Sequence, residues 1–239
     1  MIKIENLSKR YAEDSVLDID ALEIPAGEIF GLVGNNGAGK TTLFSLLLDL
    51  IMPTTGKVLN HEVQVNISED WKPYTAAFID ESFLIGYLTP EEYFYFIGEL
   101  RGMNKQDVSE FLLPFEDFFH GEILGGKKYL RDLSKGNQKK VGIIASFLGR
   151  PKVIILDEPF ANLDPTTQIR LKKIIAQYKD DPEVTLLISS HDLLHVTEVC
   201  QRIVVLNKGK VVRDTKTSDA TLRELESFFA EEIQSAEGE

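Results

Sequence analysis

The chain has 239 residues, 43% of them hydrophobic, enough to bury one large core or two tightly coupled lobes. Its formal net charge of -12 makes it a poor partner for nucleic acid, whose phosphates would repel it. The single cysteine, Cys200, excludes an intramolecular disulfide, fits a reducing compartment and reads as a small buried filler.

In chain order, Ile2, Ile4 and Leu7 open an edge strand, and MIKIENLSKRY contains no apolar signal core. VLDIDALEI alternates with period two and reads as a second strand. EIFGLVG is short and almost wholly apolar, as expected of a strand covered on both faces. A glycine-rich turn follows, then the apolar helix TTLFSLLLDLI. The most apolar run, LFSLLLDLIMP, contains Asp49 and stops at Pro53, short of the roughly 18–20 apolar residues of a membrane span.

Across 82–150 the character changes. TPEEYFYFIGELRG and KQDVSEFLLPFEDFF have helical spacing, with helix-start pairs Thr89/Glu92 and Asn104/Asp107. This predicts a helical insert, in which the aromatic run Tyr93, Phe94, Tyr95 and Phe96 is mainly core. Strands return at VIILDEP, TLLISSH and IVVLNKGKVV, the last pair a hairpin around Asn207-Lys208-Gly209. Residues 216–239 read as an acidic amphipathic helix that frays at its end. Strands separated by helices imply a parallel sheet with right-handed crossovers. The expected fold class is therefore α/β in a single domain. It has a core over 1–81 and 151–215, an antiparallel β edge, an inserted helical subdomain over 82–150 and a C-terminal helix.

GNNGAGKT, Gly34 to Thr41, fits the pattern G-x-x-x-x-G-K-[ST] and stands between a buried strand and a helix, the context that pattern requires. Gly34, Gly37 and Gly39 let the backbone curl so that its N–H groups face phosphate oxygens, with Asn35, Asn36, Ala38 and Thr42 completing the cradle. The helix opening near Lys40 adds its positive end. Lys40 can reach β and γ phosphates, and Thr41 offers a hydroxyl to magnesium. VIILDEP is a hydrophobic strand ending in two carboxylates, and parallel sheets place ligands at the carboxyl ends of their strands. Asp157 would sit near magnesium, and Glu158 nearer the γ phosphate, where it could take a proton from the attacking water or orient it.

With these motifs in this order, nearly the whole chain resembles the ABC ATPase family and its RecA-like P-loop NTPase core. LSKGNQKK, Leu133 to Lys140, resembles the family signature and precedes VIILDEP as the family requires. ANLDP, Ala161 to Pro165, is similar to the D-loop and contributes Asp164. His191 matches the switch histidine, and Tyr11 the aromatic residue that stacks on adenine. The signature commonly reads LSGGQ; here Lys135 and Asn137 replace two of its residues, while Ser134 and Gly136 are kept. The resemblance implies that Ser134 donates to the γ phosphate, that Gly136 permits close backbone approach, and that the side chain of Lys135 points outward. In AAFIDES the position expected to hold glutamine falls on Glu81, with Asp80 the alternative, and a carboxylate there can face magnesium. HDLLH also spaces His191 and His195 for zinc on one helix face, but Asp192 stands where the zinc-protease motif has Glu, and no third ligand suggests itself.

The resemblance implies ATP and Mg2+ as ligands, with Lys40, Glu158 and His191 catalytic. It implies a head-to-tail pair with a second copy or a homologous ATPase. It also implies a separate integral-membrane permease, docked on the insert near Phe83, Tyr87 and the Tyr93–Phe96 run. The chain would then lie peripherally on the cytoplasmic face of the membrane. The LSKG form resembles exporter-type members. A cytosolic ABC ATPase acting on a protein scaffold is the alternative.

Overall fold

A computed structural model of the chain describes residues 1–236. The strands are β1 (Ile2–Tyr11), β2 (Asp14–Ile24), β3 (Ile29–Val33), β4 (Thr55–Asn60), β5 (Val63–Gln64), β6 (Thr75–Phe78), β7 (Val153–Leu156), β8 (Thr185–Ser190), β9 (Arg202–Asn207) and β10 (Lys210–Lys216). The α-helices are α1 (Lys40–Leu47), α2 (Pro90–Leu100), α3 (Lys105–Leu112), α4 (Glu116–Phe119), α5 (Lys135–Ala145), α6 (Pro165–Ala176), α7 (Leu193–Val199) and α8 (Thr221–Ala236).

Two sheets form. The four-stranded sheet, order β2-β1-β4-β5, is antiparallel throughout. The six-stranded sheet runs β10-β9-β3-β8-β7-β6; its strands from β9 to β6 are parallel, and only β10 turns back, against β9. The expected α/β class and antiparallel edge are both present.

The apolar runs behave as doubly covered strands, because successive side chains leave a strand on opposite faces. Phe30 and Leu32 of β3 join Val153 and Ile155 of β7 and Val204 and Leu206 of β9 in a core with α1 and the antiparallel sheet. Their neighbours Ile29 and Val33, Ile154 and Leu156, and Ile203 and Val205 face the opposite core, with α2 to α8. Burying each such side chain contributes about 1.5–3 kcal/mol, so the central strands are pinned from both sides. Cys200 belongs to this second core: its sulfur faces Gly31, whose added Cβ would come within 3.0 Å, and burial pushes the thiol far above its ordinary pKa.

The helical segment between β6 and β7 begins as its sequence predicts. Thr89 and Glu92 make a reciprocal capping box at α2, and Asn104 and Asp107 make another at α3. Tyr93 and Phe94 are buried, whereas Phe96 is exposed, so the aromatic run is core along one face only.

Several elements differ from the sequence reading. The helix expected over TTLFSLLLDLI ends at Leu47; Leu48 caps it, and Asp49 turns into the left-handed region at φ 53°. KQDVSEFLLPFEDFF is not one helix, because Pro114 has no N–H to continue α3 and a 3-10 turn over Leu113–Phe115 precedes α4. Strands β4, β5 and β6 carry little pattern to read: β4 opens on exposed Thr55 and Gly56, β5 has only two residues and β6 only four. The expected terminal helix is α8, tied down by buried Leu225 and by Arg213 donating to Glu224 at 2.6 Å. The fraying expected at its end falls partly on 237–239, outside the described residues.

One contact sets the height of α5 over the sheet. A Cβ added to Gly142 would lie 2.2 Å from the ring of Phe78, at the end of β6. Gly142→Ala is expected to destabilise the protein by about 1–3 kcal/mol through overpacking, and Phe78→Leu in the same chain to recover part of that loss. Urea unfolding of the wild type and the two variants checks both.

Candidate phosphate-binding site

Because β6, β3, β7 and β8 are parallel, the residues that follow them emerge at one edge of the sheet. Gly34 leaves β3, Asp157 leaves β7, His191 leaves β8, and Asp80 and Glu81 follow β6. Four segments distant in sequence are thus brought to one edge.

The Gly34–Lys40 loop needs its glycines. A Cβ on Gly34 would lie 2.3 Å from the carbonyl oxygen of Leu206, while Gly37 and Gly39 have φ of 83° and 106°. Helix α1 opens at Lys40 with no side-chain cap, leaving its first N–H groups for an anion. Lys40 is buried. Its Nζ donates to the Gly34 carbonyl at 2.7 Å and to that of Asn35 at 3.4 Å, and lies 3.3 Å from Glu158 Oε1. A cavity of about 210 Å³ is lined by Val16, Asn36, Gly37, Gly39, Lys40, Thr41, Thr42 and Glu158.

Asp157 is the buried centre of the site. Thr41 Oγ1 donates to one carboxylate oxygen at 2.5 Å, and the Ser189 hydroxyl donates to the other. Burial raises its pKa despite both donors. An ionised Asp157 therefore costs folding stability as pH rises through the carboxylate range, and a nearby cation would relieve that cost. The adjacent hydroxyl and carboxylate are hard oxygen donors of the kind magnesium accepts, and magnesium keeps several waters and uses few protein ligands. The residues present therefore fit Mg2+.

Glu158 adopts a left-handed backbone, φ 47°, and each part of it is held. Its N–H donates to Ser189 Oγ at 2.8 Å, and its carbonyl accepts from Lys139 Nζ at 2.9 Å. Its carboxylate meets Lys40 through Oε1 and His191 Nδ1 at 2.8 Å through Oε2. His191 lies before α7 and points to Glu158. His195 is buried on that helix, 4.6 Å from the Phe160 ring, so the pair does not share a helix face as the zinc spacing requires.

After β6 the two candidate acids do different things. Asp80 accepts from Ser82 N at 2.7 Å, and hydrogen bonding from the Ser82 side chain and then its N–H holds the carboxyl below the usual range. Glu81 turns inward, 3.8 Å from Lys139 Nζ.

The remaining candidates lie outside the cavity lining. Ser134 is exposed at the N-cap of α5, where its Oγ accepts from Asn137 N at 3.2 Å. Lys135 is exposed, as tolerance at that position requires, and a Cβ on Gly136 would approach the Asn162 carbonyl to 3.2 Å. Asp164 caps α6 through Thr167, accepting from its N–H at 3.0 Å and its hydroxyl at 2.5 Å. Tyr11 is 52% exposed, with Lys9 Nζ 4.8 Å from the ring centroid. Sequence reasoning missed Ser189 and Lys139. The available signals were a serine two residues before His191 and a lysine pair opening the apolar half of α5.

Comparison with known proteins agrees with this geometry. A family model described as ABC transporter matches residues 17–161, more than half the chain. The chain is 36% identical over 221 residues to the uncharacterised ABC transporter ATP-binding protein MJ1023 of Methanocaldococcus jannaschii, covering 91% of this chain and 78% of that one. It is 29% identical over 236 residues to the methionine import ATP-binding protein MetN of Carboxydothermus hydrogenoformans, covering 93% and 68%. Among solved structures, the dimeric post-hydrolysis state of the ATP-binding cassette MJ0796 bound to ADP and Pi superposes with a TM-score of 0.80 at 22% identity, over 91% of this chain and 99% of that one. With its phosphate loop and both acids of VIILDEP inside the matched segment, this chain belongs to the ABC transporter family, as an ATP-binding subunit.

Proposed function

We propose that the chain hydrolyses MgATP in a head-to-tail pair, with a second copy or a homologous ATPase, to drive transport, in the export direction, through a separate membrane permease. The observation that carries this reading is the convergence of Lys40, Thr41, Asp157, Glu158 and His191 at one sheet edge.

Each residue has a distinct task. The N–H groups of 34–42 hold the phosphates, and Lys40 exchanges its Glu158 partner for phosphate oxygens when ATP enters. Thr41 and Asp157 would hold Mg2+, whose charge would offset that of the phosphates; Glu81, 3.8 Å from Lys139, is the third acid at this edge. Freed from Lys40, the Glu158 carboxylate accepts a proton from the attacking water while His191 fixes its other oxygen. Water attacks phosphorus, the bond to the β–γ bridging oxygen breaks, and ADP and phosphate result. Ser134 and Gly136 lie outside the cavity lining, so they serve better as donors and close backbone to the nucleotide of a facing subunit. Tyr11, exposed at the end of β1, would stack on the adenine, and Asp164, ordering the turn into α6, would lie at the seam between subunits. ATP then closes the pair and hydrolysis opens it, a population shift able to drive a partner.

No helix among the described residues is long and apolar enough to cross a membrane, so coupling needs a docking surface. Phe83 and Tyr87 are 59% and 72% exposed just after Glu81. Phe83 borders an apolar groove of about 190 Å³ that also includes Leu48, Leu50 and Leu84. We assign this surface to the permease, which would hold the chain on the cytoplasmic face of the membrane. The signature form with Lys135 supports export, and the methionine importer among the relatives makes direction a matter for transport assays in vesicles with the paired permease.

Lys40→Ala is expected to lower ATP turnover by at least about 100-fold, the scale of losing a charge that stabilises the transition state. Wild-type turnover in the purified variant would refute the site. Glu158→Gln keeps the shape and removes the basic oxygen, so hydrolysis should fall by about 10²- to 10⁴-fold while ATP still binds. The stalled protein should accumulate an ATP-dependent dimer by light scattering; a persistent monomer would argue against the paired arrangement. Phe83→Asp or Tyr87→Asp, coexpressed with the permease, should release the chain from sedimented membranes without loss of nucleotide binding.

A further inference from the structure

We propose that Lys139 is a positioning residue that ties the signature helix α5 to Glu158 and Glu81, so that movement of α5 is felt directly at the hydrolytic carboxylate. This inference rests on the functional reading of Glu158 above.

Lys139 is an unusual lysine. It is buried in the middle of α5, where a long charged side chain is rarely found unless paired. Its Nζ donates to the Glu158 carbonyl at 2.9 Å and lies 3.8 Å from Glu81 Oε1. Burial pulls its ammonium below the ordinary lysine value, while Glu81, Glu158, Asp157 and Asp80 pull it back up. Glu81 is the carboxylate within ion-pair distance of this cation, and the other three act on it from farther away.

The Glu158 backbone explains why such a tether matters. A non-glycine residue at φ 47° is strained by about 1–3 kcal/mol and persists only where its surroundings hold it. Ser189 fixes the N–H of that residue and Lys139 fixes its carbonyl. Without Lys139 the Glu158 carbonyl keeps only the Ala161 N–H at 3.2 Å, and the carboxylate can drift from its position between Lys40 and His191.

The same side chain reports on the start of α5. Ser134 caps that helix and Lys139 lies five residues later on it, a separation of about 7.5 Å along a rigid helix. A shift of the α5 N-terminus therefore carries Lys139 with it. Lys139 also makes a carboxylate tolerable at position 81: an uncompensated Glu81 beside Asp157 and Glu158 would be repelled, whereas a glutamine there needs no cation.

The test is a double-mutant cycle on the purified chain, reading ATP turnover and the affinity of a fluorescent ATP analogue. Lys139→Gln should lower kcat by about ten- to a hundred-fold, the scale of misplacing a catalytic group by about 1 Å, while analogue affinity changes less than threefold. Glu81→Gln in the Lys139→Gln background should recover turnover at least about threefold, because it removes the carboxylate that lost its counter-charge. Should Lys139→Gln fail to fold, the double variant, which buries neither charge, decides alone: kcat at least about threefold below wild type with analogue binding intact supports the tether, and wild-type kcat overturns it. Unchanged kcat in Lys139→Gln, or losses in the two single variants that multiply independently, would also overturn it. Wild type and Lys40→Ala run in parallel test the functional reading separately, since inactive wild type indicts that reading and not Lys139.

Discussion

A carboxylate buried at the end of a strand must find hydrogen-bond donors, and the site is organised around meeting that need at Asp157. The donors come from two other segments: Thr41 from the helix after β3, and Ser189 from β8. Both contacts require the three strands to end at one level. The parallel registers, Phe30 beside Leu187 and Ile155 beside Leu187, supply it. A one-residue slip would send Asp157 to the other face and leave a buried charge without partners. The same buried charge is what a divalent cation would relieve, so a requirement of folding and a requirement of nucleotide chemistry meet in one residue.

Around that centre the polar groups are linked rather than merely adjacent. Ser189 serves both acids, donating to Asp157 and accepting from Glu158 N–H. Glu158 holds Lys40 and His191, and Lys139 joins Glu158 to Glu81. Lys40 of the loop is paired with Glu158, the acid that would act on water. On the proposed reading, nucleotide entry would exchange this ion pair for a new one, which would couple release of Glu158 to phosphate capture. Such networks are strong only when every member is satisfied, which explains why the site recruits a buried lysine from a helix that otherwise packs apolar side chains.

Much of this was legible in the chain. GNNGAGKT has glycines where the backbone turns left-handed or approaches Leu206, and VIILDEP alternates between two cores before releasing its acids. The caps at Thr89 and Asn104 were readable because capping is local: a side chain three residues away supplies the bond. What escaped was non-local or short. Strands β4 to β6 take their identity from partners, β4 from β1 and β6 from β7, and carry little pattern of their own. Which of Asp80 and Glu81 meets Lys139 could not be read from adjacent acids in AAFIDES; in the fold Asp80 accepts from Ser82 N while Glu81 lies 3.8 Å from Lys139.

The sequence by itself determined the phosphate loop, the paired acids, the doubly buried strands and the membership of the fold class. Each of these is written in contiguous residues whose spacing has one favourable geometry. Only the tertiary structure decided which side chains meet: that Ser189 bridges the two acids, that His191 turns to Glu158 while His195 packs on Phe160, and that Lys139 closes the network from a helix 19 residues upstream. These contacts depend on strand order and helix height, which are set by the packing of the whole core and by the close approach of Gly142 to Phe78, and no local pattern encodes them.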